Sequence, residues 1–334
     1  MKAFEDVLSD LSARVAELSA QLGARVDVAA MGVTDRQGHL QLDPPGHVSC
    51  NRACRLVRAA DGWIAVNLAR PEDRELVPAW LHGDLGEEPW SQIERLAPAR
   101  ARAQLVADAA MLGLPAGAVG EMVRRAPDAN LRLHGPARDR TGAPRVVDLS
   151  AMWAGPMCGA ILAAAGCDVT KVESVRRPDA IRDATPEFYR RLNGAKRELA
   201  VDLADPGGRA ALREAVLAAD LVITGARPRA FPSLGFDPEE IVAGGAVWVS
   251  VTGYGWTHGQ RVAFGDDAAA AGGLVEWAQA GEPRFLGDAL ADPVTGLAAA
   301  IGAFEALYSG GAMFVDAGLA PCAAGAAAQM GLVA

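Results

Sequence analysis

Four groups of residues in this sequence have the type and spacing for chemistry. Asp266 and Asp267 are adjacent carboxylates; such a pair serves proton transfer when both groups face one site and otherwise diverges into solvent. Asp292 stands directly before Pro293 and the apolar run 294–307. Read alone, that is a helix N-cap followed by a residue preset for the first turn. Arg227 and Arg229, in GARPRAF, carry forked guanidinium groups suited to phosphate oxygens, although surface arginines are common. The glycines of GYGWTHG, Gly253 and Gly255 among them, allow backbone N–H groups to approach an anion, but the G-x-G-x-x-x-G spacing is not the dinucleotide fingerprint. His47, Cys50 and Cys54 are one ligand short of a structural zinc site, so no metal is expected. Walker A, HExxH and GxSxG patterns do not occur.

Short apolar runs separated by helix-length segments position these residues. RVVDL (145–149), CDVTKVE (167–173), LVIT (221–224) and VWVSV (247–251) read as strands, with helical composition at 155–165 and 205–219. This alternation predicts a Rossmann-like α/β fold, an open parallel sheet with covering helices. Ligands of such sheets gather beyond the carboxyl ends of the strands, which selects the loops after Leu149, Thr224 and Val251. Upstream, Phe4, Leu8, Leu11, Val15, Leu18 and Leu22 recur every three or four residues and predict an amphipathic helix. The pattern is too short for a stable coiled coil and favours packing on its own domain. GWIAVNL (62–68) reads as a strand after the turn pair Asp61-Gly62, and 71–80 and 100–112 read as helices. The stretch 124–144 is rich in Pro, Gly, Arg and Asp without periodicity. The expected organisation is a smaller α+β domain over 1–136, a linker over 137–144 and the α/β domain over 145–334.

Composition bounds the class. A chain of 334 residues suggests two domains at roughly 150 residues each. With 41 acidic against 32 basic residues it lacks an electrostatic footprint for nucleic acid. Only Lys2, Lys171 and Lys196 are lysines; the other basic residues are arginines, which leaves small anionic ligands open. The acidic first turns do not resemble a signal peptide, and the uncharged run 317–334 is Ala- and Gly-rich and broken by Pro321, so no membrane partner is expected. Five irregularly spaced cysteines suit a reducing, cytoplasmic setting.

Six segments then assemble into a pattern: VVDLSAMWAGPMCGAILAAAGCDVTKVES, FYRRLNGAKRELAVDLADPGGRAAL, ADLVITGARPRAFPSLGFDPEEI, VSVTGYG, FGDDAAAAGGL and GDALADPVTGLAAAIGAFEAL. In order and spacing they resemble the class III CoA-transferases, the family that includes formyl-CoA transferase, carnitine CoA-transferase and α-methylacyl-CoA racemase. The likeness runs from Arg145 to about Ala320. It implies an acyl-CoA:carboxylate CoA-transferase in which Asp292, set in G-x-x-x-x-D-x-x-x-G between Gly287 and Gly296, is the nucleophile. An aspartyl–acyl anhydride and an aspartyl-CoA thioester follow, with N–H groups around Gly253 and Gly255 stabilising the oxyanion.

The same resemblance implies CoA contacts at Ala154, Gly155 and Pro156, at Ser174, Arg176 and Arg177, at Lys196 and Arg197, and at Arg227 and Tyr254. CoA thioester is then a substrate, no cofactor is permanently bound, a carboxylic acid is the acceptor, and the protein is a homodimer. The racemase branch places a histidine before the aspartate of G-H-D, where this chain has Gly265, Asp266 and Asp267. Two alternatives stay open: a racemase or epimerase using Asp266 with Asp292, and a non-catalytic acyl-CoA-binding relative. In most relatives the small domain follows the catalytic half. Here CRLVRAADGWIAVNLARPEDRELVPAWL (54–81) and MLGLPAGAV (111–119) resemble that domain and come first, a permuted order.

Overall fold

The computed structural model describes residues 3–332 apart from 125, 137, 139–141, 279 and 280, so the expected linker 137–144 lies partly outside the described residues. The chain opens with α1 (Phe4–Ser19) and the single turn α2 (Val28–Met31). The hairpin β1 (Cys54–Ala59) and β2 (Gly62–Asn67) follows, then α3 (Pro71–Leu81), α4 (Pro89–Leu96), α5 (Arg102–Leu112) and β3 (Ala116–Ala118). Next come β4 (Asn130–Gly135), β5 (Arg145–Leu149), α6 (Ala154–Ala164), β6 (Asp168–Ser174), α7 (Ile181–Ala184), α8 (Pro186–Asn193) and β7 (Arg197–Val201). The remainder is α9 (Pro206–Ala218), β8 (Leu221–Thr224), α10 (Phe231–Leu234), α11 (Pro238–Ala243), β9 (Val247–Thr252), α12 (Gly265–Ala271), β10 (Val275–Trp277), β11 (Pro283–Phe285), α13 (Ala291–Tyr308), β12 (Ala312–Gly318) and α14 (Leu319–Met330).

Among the described residues the main sheet has the order β4-β12-β9-β8-β5-β6-β7 and is parallel except for the pairing of β4 with β12. LVIT and VWVSVT are buried at every position, because helices cover both faces of their strands. Alternate residues sort into two cores. Val146, Ile223 and Val249 face α6, α13 and α14, whereas Val147, Val222 and Trp248 face α9 and α11. The chain moves outward through β6 and β7 on one side of β5 and through β9 and β12 on the other side of β8. The order therefore reverses between β5 and β8, which opens a crevice at their carboxyl ends.

Two features of the N-terminal stretch differ from the sequence expectation. Helix α1 packs on α13 of the α/β half rather than within its own domain: Val7, Val15 and Leu18 join the core around α6 and α13, and Tyr308 Oη donates to the Leu18 carbonyl at 2.8 Å. The apolar face of α13, with Leu297, Ala300 and Phe304 in the same core, is what the α1 stripe covers. Strand β4, which lies before residue 136, completes the main sheet as an antiparallel edge that covers β12.

Strands β1, β2 and β3 form an antiparallel sheet with α3, α4 and α5 on one face, around Val57, Ile64, Val66 and Trp80. The pleat sends Cys54, Leu56, Trp63 and Ala65 to the other face, against Ala270, Val275 and Phe285 of the α/β half. Among the described residues no helix is long and apolar enough to cross a membrane.

Candidate active site

A cavity of about 1050 Å³ lies at the carboxyl ends of β5, β8 and β9, beside the strand-order reversal. Arg36, Asn51, Asn67 and Arg70 from the N-terminal stretch wall one side of it. Asp292 reaches this cavity because α13 packs closely on the first turn of α6. A Cβ at Gly296 would stand 2.8 Å from Met157 Sδ and 3.0 Å from the Ala154 carbonyl, so only glycine permits the approach. Asp292 is one helical turn before Gly296 and therefore faces the start of α6.

Asp292 is not the N-cap that its place before Pro293 suggested. Helix α13 begins at Ala291, Leu290 holds the cap position, and no side chain caps it. Ala289 causes the offset: it adopts φ +47°, a left-handed conformation rare for a residue with a Cβ. Its carbonyl accepts from the Asp292 N–H at 2.9 Å, and its N–H donates to Asp266 Oδ1 at 2.8 Å. One strained residue thus holds the Asp266 carboxylate and the backbone of Asp292.

Asp266 lines the cavity and takes a second hydrogen bond from Asn51 Nδ2 at 2.9 Å. Asp267 diverges: it accepts from Asn67 Nδ2 at 3.1 Å and from the Phe264 N–H at 2.9 Å, and its Oδ2 has no partner. Burial pushes Asp292 up to about 7, with the charges of Asp266 and Asp288 adding to the rise and Arg36 and the Ala154 N–H opposing it. Burial and the Asp288 charge bring Asp266 to about 6, against the pull of the Ala289 N–H and Arg36. Asp267, also through burial, stands at about 8.

The cavity mouth is cationic. Arg177, Arg227 and Arg229 line it, together with Arg70. Burial lowers the Arg227 guanidinium from its ordinary value, and repulsion from Arg229, Arg70 and Arg177 lowers it further, so the four groups share one region. Arg70 is forked to Asp73, but no carboxylate among the described residues pairs with Arg177, Arg227 or Arg229. Converging guanidinium groups without acid partners suit phosphate oxygens.

Ala154, Gly155, Ser174 and Gly253 also line the cavity, whereas other residues singled out from the sequence do not. Lys196 is locked inside: its ammonium bonds Asp148 at 2.7 Å, and Asn193 Oδ1 and the Pro156 carbonyl at 2.8 Å each. Pro156 therefore serves α6 and Lys196 rather than a ligand. Arg197 pairs on the surface with Asp168 at 2.7 Å, and Arg176 forks onto Asp202 at 2.8 Å. Tyr254 is buried under Arg261, whose guanidinium lies 3.4 Å from the ring centre. Gly255, at φ +88°, turns the chain toward Asp316, which accepts from the Trp256 N–H at 2.9 Å. Cys50 and Cys54 are buried thiols, and the described residues hold no group of three side chains disposed to bind a metal.

Sequence reasoning missed Arg36, Asn51, Asn67, Arg70 and Asp288. Asn67 and Arg70 end or follow the strand read over 62–68, but that strand lies in an antiparallel sheet, to which the strand-end rule of open parallel sheets does not extend. Arg36 and Asp288 lie in separate loops 252 residues apart, with no motif around either.

An open sheet with a buried carboxylate and an arginine-lined mouth at its strand-order reversal makes a site suited to an anionic ligand. The chain belongs to CoA-transferase family III, whose profile matches residues 144–329. It is similar to the succinyl-CoA–D-citramalate CoA-transferase of Chloroflexus aurantiacus, with 31% identity over 192 residues, 52% of this chain and 48% of that protein. It is also similar to the human succinyl-CoA:glutarate CoA-transferase, with 29% identity over 52% of this chain and 44% of that one. Among solved structures a CAIB/BAIF family protein from Brucella suis matches with TM-score 0.52 and 27% identity, covering 57% of this chain and 56% of that chain. The chain spans about half the length of the curated relatives it matches.

Proposed function

We propose that the protein is an acyl-CoA:carboxylate CoA-transferase that works through Asp292. The observation that carries this reading is a buried carboxylate, without a direct ion-pair partner, in the cavity whose mouth holds Arg177, Arg227 and Arg229. The arginines bind the phosphates of CoA and the thioester enters toward Asp292. An Asp292 oxygen attacks the thioester carbon, the C–S bond breaks, and CoA leaves as thiolate with a mixed anhydride behind it. The thiolate then attacks the aspartyl carbonyl of the anhydride, which releases the original acyl group as a carboxylate and leaves an aspartyl-CoA thioester. The acceptor carboxylate repeats the two steps in reverse order. Acyl-CoA and a carboxylate become a new acyl-CoA and the original acid, with Asp292 restored.

Two features support this reading over racemisation. Asp266 accepts the Asn51 amide and the Ala289 N–H, bonds that favour its anionic form and oppose the proton uptake a general acid needs. The names of the relatives also favour CoA transfer. A homodimer and a cytoplasmic setting belong to the same proposal; the free, buried thiols suit a reducing compartment.

The test is intact-mass analysis after incubation with a panel of acyl-CoAs and carboxylic acids. A CoA-sized adduct on wild type, absent in Asp292→Asn, is expected. CoA exchange retained by Asp292→Asn would overturn the mechanism, and CoA binding without adduct or exchange would favour a non-catalytic relative.

A further inference from the structure

The segment between α2 and β1 places a cation on the wall of the cavity that Asp292 also lines. Arg36 donates through Nε and Nη2 to the two oxygens of Asp288 at 2.8 and 2.7 Å, and both side chains are only 12% exposed. Its guanidinium lies 5.0 Å from the ring centre of Trp153, the residue just ahead of α6. Trp153 Nε1–H in turn donates to the Val33 carbonyl at 2.8 Å, which ties the segment to the same helix start. Asp288 lies in the loop that leads through Ala289 into α13, four residues before Asp292.

Charged groups reach Asp292 from several elements. Arg36 comes from the N-terminal segment, Asp266 from α12 and Asp288 from the loop before α13. The Cys50 thiol sits beside Asp266 and Asp288, and burial keeps it neutral by raising it to about 11. Helix α6 contributes the Ala154 N–H. Asp267 faces Asn67, and Arg70 and Arg261 line the same cavity but are engaged by Asp73 and Glu121. Arg36 is thus the cation that bears most on Asp292, in a site where two like charges favour its neutral form.

We propose that Arg36 is a positioning residue that favours the anionic form of Asp292, and that Asp288 limits this influence by competing for the same guanidinium. The proposal rests on Asp292 being the nucleophile, since only an ionised carboxylate attacks a thioester. It makes the two halves of one ion pair act on Asp292 in opposite directions. Removing Arg36 takes away a cation, whereas removing the Asp288 charge takes away an anion and frees the cation. A purely mechanical ion pair has no such opposition, because losing either half loosens the same loop.

The test is a carbon-13 NMR titration of aspartate carboxyl groups, with Asp292 assigned by its absence in Asp292→Asn. Wild type, Arg36→Met, Asp288→Asn and the double variant are compared, with the acid limb of CoA exchange followed in parallel. Arg36→Met should move the Asp292 midpoint to higher pH by about one pH unit, Asp288→Asn should move it to lower pH, and the double variant should fall between. Equal losses of exchange with unmoved midpoints, or shifts in the same direction, would overturn the proposal. Should Arg36→Met not fold, Asp288→Asn alone decides: only an acid-going shift supports the idea. If the midpoints move as expected but wild type forms no CoA adduct at any pH, the transferase reading fails while the electrostatic role of Arg36 stands.

Discussion

Gly265 and Asp292 are in such close approach that a Cβ on the glycine would collide with Oδ2 of the carboxylate. The same Cβ would stand 2.7 Å from the Ala289 Cβ and 2.8 Å from its carbonyl oxygen. The first residue of α12 thus sets how far Asp292 extends toward the cavity. Ala289 is already strained and hydrogen-bonded to Asp266 and to the Asp292 backbone, so it cannot give way and the Asp292 carboxylate must move instead. Gly265→Ala should lower stability by roughly 1–3 kcal/mol through overpacking. It should also cut turnover by about 100-fold, since displacement of a reacting group by about 1 Å has that effect. Thermal melting and CoA-exchange rates measure the two; unchanged turnover would show that Gly265 does not set the nucleophile's position.

Asp292→Asn and Asp292→Ala should behave alike in stability. A capping aspartate replaced by alanine loses about 1 kcal/mol, but α13 starts ahead of Asp292 and takes no side-chain cap. Both variants also remove a carboxylate that burial disfavours as an anion. Melting temperatures at neutral pH should therefore equal or exceed wild type while exchange is lost. A large drop in Asp292→Ala alone would restore a structural capping role.

The central strands were legible because burial on both faces writes continuous apolar runs. RVVDL and LVIT occupy the bounds read from the sequence, and VWVSV extends by one residue to Thr252. Strand β4 was not legible: NLRLHG is polar, short and flanked by a stretch without periodicity, and only its antiparallel partner β12 makes it a strand. Helix α1 was found by its stripe, but a stripe does not say which surface it covers. At the site, Asp292, Asp266 and Arg227 stood out by context, and the structure brings them to one cavity. Lys196 and Arg197 stood out equally, yet a linear pattern does not distinguish a buried structural cation from a ligand-facing one. Asp288 carries no signal in the sequence beyond standing four residues before Asp292, and only its fork with Arg36 gives it a part in the site.

Lys196 and Arg227 should separate stability from CoA affinity. Lys196 and Asp148 are wholly buried. Burial opposes ionisation, yet Lys196 and Lys171 hold the Asp148 carboxyl below its ordinary value. Lys196→Met strands that carboxylate and should destabilise the fold by about 3–5 kcal/mol in denaturant titration. Arg227→Ala should leave stability nearly unchanged and weaken CoA binding by about tenfold or more, as loss of a charge-assisted contact does. Arg176→Ala and Arg197→Ala remove exposed pairs and should leave both quantities near wild type. Calorimetric titration with CoA is the readout. A strong loss in Arg197→Ala with none in Arg227→Ala would move the phosphate site away from the cavity mouth.

Asp267 should tie stability to pH. Its carboxyl is wholly buried, with one oxygen unpartnered, and burial raises it to about 8 in the folded chain. The unfolded chain releases that proton near the ordinary value of about 3.9. Between these limits the folded state holds more protons than the unfolded one, so stability falls as pH rises from about 4 toward 8. Asp267→Asn removes the titration but keeps an oxygen for the Asn67 amide and the Phe264 N–H. Asp292 titrates in the same window in both proteins, whereas the Asp266 charge contributes to the rise at Asp267, so losing the Asp267 charge also eases ionisation of Asp266 and adds to the variant's gain at high pH. The variant should therefore melt a few degrees above wild type at pH 9, and its advantage should shrink steadily toward pH 5. Melting curves across that range test the sign; parallel pH profiles for the two proteins would mean that Asp267 stays ionised at its junction with Asn67.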